Sequence, residues 1–88
     1  MNKLEIIIEQ YPDLDFLSAD GFENAIIGVV YDKTTGTYRL AYSRAKCIDI
    51  LMDRDGMGGE EADEHFDFNV EGAYMGDKTP IWVDDMIF

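Results

Sequence analysis

The chain has 88 residues, 47% of them hydrophobic, and a formal net charge of −12. That length suits one domain, 1–88, with a modest core and little room for a deep substrate cleft, and the apolar content excludes wholesale disorder. The acidity argues against nucleic acid and anionic membrane as direct partners, because both are negative, and admits basic protein surfaces and cations.

The charge is uneven. Residues 1–52 carry eight acids against five bases, and residues 53–88 carry eleven against two. Cys47 is the single cysteine, so no intrachain disulfide or cysteine-rich metal cluster can form; its neighbours Ala45, Ile48 and Leu51 suggest a buried, inert thiol. No apolar run reaches membrane-spanning length and no basic leader precedes one, so a soluble protein of a reducing, cytoplasmic compartment is expected.

In chain order, Leu4, Ile7, Ile8 and Tyr11 follow helical spacing. Asn2 can cap that helix, with Glu5 three residues on, and Pro12 ends it. The three consecutive isoleucines leave a strand as the alternative. Asp13–Glu23 reads as a loop that contributes Phe16, Leu17 and Phe22 to the core. Asn24–Tyr31 and Tyr38–Tyr42 read as strands of a hairpin joined across Asp32–Gly36. The first of these strands is apolar at both alternating sets of positions, which predicts burial of both faces, by the N-terminal helix and loop or by a second copy in a homodimer. Gly28 inside it suggests a bulge or a closely packed helix.

Ser43 can cap a second helix over about 43–54 whose apolar stripe is Ala45, Ile48, Leu51 and Met52. Arg44 and Lys46 fall in its first turn, unfavourably for the helix dipole, and either pair with the acidic segment beyond or stay solvated. Asp55–Gly59 is a break. From Glu60 a third helix puts Ala62, Phe66, Asn69 or Val70, and Ala73 on one side. Its other faces carry Glu60, Glu61, Asp63, Glu64, Asp67 and Glu71, the candidate partner-binding residues. Gly72 and Gly76 let the chain turn, and about Pro80–Val83 forms a last strand. The predicted fold is α+β: a small antiparallel sheet, hairpin plus C-terminal strand, packed against about three helices in the order α-β-β-α-α-β. Phe66, Asn69, Gly72, Gly76 and Pro80 are the expected structural residues, with the Asn69 amide bonding the backbone of the turn at Gly76–Thr79.

Two constellations merit a chemical test. With Asp53 at position 1 of an EF-hand loop, Asp55, Glu61 and Glu64 fall at ligand positions 3, 9 and 12 and Gly58 at position 6, a calcium alternative. Met57 at position 5 and Glu60 at position 8 break the pattern. His65 among acids lacks the partners a zinc site needs and reads as solvent-facing. For catalysis, His65, Cys47 and Ser43 form no nucleophile–base–orienter set, and the glycine run DGMGGEE lacks the preceding strand and Lys-Ser/Thr of a phosphate loop. Neither an enzyme nor a cofactor is expected.

EEADEHFDFNVEGAYMGDKTPIWV, with the preceding AKCIDILM, resembles a family of small bacteriophage- and prophage-encoded proteins. The residues that carry the likeness are Glu61, Ala62, Glu64, Phe66, Phe68, Asn69, Gly72, Ala73, Tyr74, Gly76, Thr79, Pro80 and Ile81. The pattern covers about half the chain and names no activity. It implies a virus-derived protein acting in a bacterial cell, and no catalytic residue carries over. Three functions follow as expectations: an accessory protein binding a basic protein surface, a DNA mimic in its sharper form; a calcium module; or a minor virion component.

Overall fold

Asn2 starts the first helix as expected: its Oδ1 accepts the Glu5 amide at 2.9 Å, and helix α1 runs Lys3–Gln10, stopping before Pro12. In this computed structural model, residues 2–71 and 76–85 are described. The hairpin forms as strands β1 (Ile26–Asp32) and β2 (Thr37–Ser43), antiparallel, with a short 3-10 turn over Glu23–Ala25 in place of the first residues expected in the strand. The register slips between Ile26 and Gly28, so Gly28 does mark a bulge.

Ser43 caps helix α2 (Arg44–Asp55), its Oγ accepting the Lys46 amide at 3.2 Å and donating to Asp85 Oδ1 at 2.7 Å. Helix α3 (Gly59–His65) follows, then a π-helical segment, Phe66–Glu71. Strand β3 (Ile81–Val83) joins the sheet in the order β1-β2-β3. The small α+β architecture and the α-β-β-α-α-β order are those read from the sequence, but the third strand differs in direction. It pairs parallel to β2, Ala41 with Ile81 and Ser43 with Val83, so the sheet is mixed rather than antiparallel. The connection from β2 holds two helices, which carry the chain back to the end where β2 began, as a crossover must.

The core draws on every layer: Ile7, Phe22, Ala25, Ile26, Leu40, Tyr42, Cys47, Leu51, Ala62 and Phe66 are buried in one cluster. Tyr42 is the largest fully buried side chain in it, its ring 5.0 Å from that of Trp82. Its hydroxyl accepts the Ala19 amide at 2.8 Å, tying the loop before the hairpin to the sheet. Of the three expected loop plugs, Phe22 is buried, Phe16 half-buried against the core, and Leu17 exposed. On α2 the buried stripe is led by Cys47 and Leu51, one turn apart, while Met52 is 38% exposed rather than inside. Ile27 is exposed and Val30 half-buried, so β1 is not covered on both sides by this chain's described residues. Among the described residues, no helix is long and apolar enough to cross a membrane.

Cys47 is fully buried, and burial pushes its thiol from an ordinary value of 9.0 up to about 12. The folded chain therefore holds this proton where the unfolded chain gives it up. The stabilisation is complete below pH 9 and is lost as pH rises toward 12, with a slope of up to about 1.4 kcal/mol per pH unit. Urea unfolding at successive pH values should show that decline, and Cys47→Ala should flatten it between pH 9 and 10, below the range where Tyr42, also raised by burial, adds a decline of the same sign.

Candidate functional site

Glycine and two glutamates open α3, and the negative first turn suits the helix dipole. Ala62 and Phe66 turn inward and are fully buried. Phe66 meets Trp82 edge-on, with ring centroids 5.2 Å apart at 87°. The Arg44 guanidinium lies over the Phe66 ring, its central carbon 5.3 Å from the centroid. The same guanidinium bonds Asp63 and Asp67, each at 2.7 Å. Donating hydrogen bonds to Asp67 and Asp63 holds Arg44 even more firmly protonated than usual. A cation at the start of α2 is thus compensated by the next helix, the pairing the sequence had left open; Lys46 stays exposed.

This divides the six candidate carboxylates. Glu60, Glu61 and Glu64 are exposed; Asp63 and Asp67 serve an internal ion pair as well as the surface; the Glu71 side chain lies outside the described residues.

The π segment changes the face beyond Phe66. A π turn holds more residues than the 3.6 of an α turn, so each residue advances less far around the axis. Four residues on from Phe66, Val70 returns to the core; three residues on, Asn69 falls short and is exposed. Asn69 therefore does not reach the turn at Gly76–Thr79 as expected: its Nδ2 lies 3.3 Å from His65 Nδ1, and His65 is half-buried. The turn is closed by Thr79, whose hydroxyl donates to the Gly76 carbonyl at 2.7 Å and whose amide does so at 3.1 Å. Gly76 has φ +95°, where a glycine is needed, and Pro80 is buried at the entrance to β3. The expected roles of Gly72 and Ala73 lie outside the described residues.

Phe68 is the residue the sequence reading passed over as a site: it is 82% exposed, beside Asp67 and Asn69. The signal was present, because two phenylalanines two positions apart on a helix cannot share a face, and burying Phe66 sends Phe68 to solvent.

The residues proposed for calcium do not converge. Gly58, assigned to the sharp turn of an EF-hand loop, has φ −70° and caps α3; the left-handed position is Gly56, at the end of α2. Asp55 is gripped by Arg54 through Nε and NH2, both at 3.1 Å, and this bonding lowers its pKa. Among the described residues no three His, Cys, Asp or Glu side chains are grouped to hold a metal ion.

Comparison with protein-family models, curated proteins and solved structures finds no significant match to this chain.

Proposed function

We propose that this chain is a non-enzymatic accessory protein of bacteriophage type that works in the cytoplasm of a bacterial host by docking on a basic protein surface. Phe68 carries the reading. Phe68, an aromatic side chain 82% exposed that follows directly on the helix displaying Glu60, Glu61 and Glu64, would supply one apolar anchor close to anionic residues. The carboxylates would speed encounter and select basic partners, and the ring would supply most of the affinity. DNA mimicry is less well supported in this arrangement. Arg44 neutralises part of the charge of Asp63 and Asp67, which leaves a short row of exposed glutamates instead of a long track of phosphate-like groups.

Capture of the tagged chain's partner from a bacterial lysate, followed by titration of the purified pair, tests the reading. Phe68→Ala should weaken binding about 30-fold or more, the loss typical of a hot-spot aromatic. Neutralising Glu60, Glu61 and Glu64 to glutamine should mainly slow association and remove its salt dependence. Since all four side chains are exposed, the variants should melt as the parent does. A partner held equally well by the Phe68 and glutamine variants would refute the proposal.

A further inference from the structure

A second surface is left over, on the opposite side of the sheet order from the acidic segment. β1 is an outer strand, and among the described residues no strand pairs along its other edge. It reads IIGVVYD, with neither proline nor charge before Asp32. Natural outer strands are usually protected by charge, proline, a bulge or a cover, because their open edge pairs readily with another strand. The bulge at Ile26–Gly28 protects only the start of this one. Between α1 and that strand runs an open groove of about 380 Å³ lined by Lys3, Ile6, Ile7, Ile26, Ile27 and Gly28. Ile6 and Ile27 are each 42% exposed. In a chain with nineteen acids, the described residues lining this groove include no carboxylate, and the charged one among them is a cation.

We infer that a second copy of this chain covers this face, β1 pairing antiparallel with its counterpart about a twofold axis and the two α1 helices flanking the seam. Charge selects that occupant and that geometry. Two chains of net −12 repel, so the least costly contact joins their least acidic regions. α1 and β1 belong to the half that carries eight acids against five bases. The strongly acidic segment packs through Phe66 on Trp82 of β3, at the far edge of the sheet. Joining β1 edges therefore sets the two acidic helices at opposite ends of the pair. Lys3 at the groove finds matching charge on an identical chain, whose α1 exposes Glu5 and Glu9. A twofold contact asks only that one patch complement itself, and the result is a six-stranded sheet in place of two three-stranded ones.

Light scattering on the full chain, from micromolar to millimolar concentration, should give a mass rising to twice the 10.0 kDa of one chain. Added salt should favour the pair, since it screens the repulsion between the acidic chains; binding through the glutamates should instead weaken, so the two proposals fail separately. Ile6→Lys with Ile27→Lys should return the chain to a monomer with an unchanged circular dichroism spectrum, and the milder pair Ile6→Ser and Ile27→Thr should shift the equilibrium the same way. Phe68→Ala should leave the pair intact. A monomer at millimolar concentration overturns the inference, as does a pair that survives the Ile6 and Ile27 substitutions or is lost with Phe68.

Discussion

Phe66→Ala should cost about 3–5 kcal/mol, a large share of the roughly 5–15 kcal/mol that holds a domain together. The side chain is fully buried, so truncating it leaves a cavity in the core. Its loss removes the edge-on contact with Trp82, the underside of the Arg44 guanidinium, and the apolar anchor of α3 together. Arg44 would then hold Asp63 and Asp67 in a wetter setting, where such pairs contribute little. Trp82 is the single tryptophan, so its emission reports the damage directly. Urea unfolding should show a much lower midpoint, and native emission should shift to the red as water reaches the indole. Phe66→Leu, which retains most of the volume, should lose less than half as much. A loss under about 1 kcal/mol for the alanine variant would mean that the acidic segment is not fastened to the sheet through this ring.

Tyr42 should be as sensitive, and in a way that separates packing from hydrogen bonding. Tyr42→Ala removes the largest fully buried side chain and is expected to cost about 3–5 kcal/mol, as for other large aromatics. Tyr42→Phe keeps the ring against Trp82 and removes only the hydroxyl, leaving the Ala19 amide without its acceptor. That omission should cost about 1–3 kcal/mol, the penalty for an orphaned, partly buried donor. The residue exposed by the change is in the loop before the hairpin, so hydrogen exchange at the Ala19 amide should speed up more than exchange in β2. If Tyr42→Phe proves neutral, the loop is held by Phe16 and Phe22 alone, and the hydroxyl is incidental.

These two residues also bear on the functional reading. Phe66 and Tyr42 both pack on Trp82, and that cluster fixes where α3 sits on the sheet. The direction in which Glu60, Glu61, Glu64 and Phe68 are displayed therefore depends on aromatic contacts inside the domain. Loss of binding in a Phe66 variant would speak to the frame, whereas loss in a Phe68 variant with an unchanged melting point speaks to the surface.

Local chemistry determined much of this protein by itself. Asn2 and Ser43 cap their helices because a side-chain oxygen beside an apolar periodic run has an orphan amide to accept. The hairpin follows from two β-rich runs around a glycine-bearing turn, and Cys47 is buried because its neighbours are. These are short-range matters, settled within a few residues. Only the tertiary structure decided the rest. The direction of β3 depends on where two helices return the chain. The partner of Arg44 depends on α3 crossing α2. The fate of Asn69 depends on a π segment whose widening shifts the following side chains around the axis, and residue spacing assumes an α turn throughout. Competition between distant groups for one cation, one face or one sheet edge has no signature in a single stretch of sequence, because it is resolved only when those stretches meet.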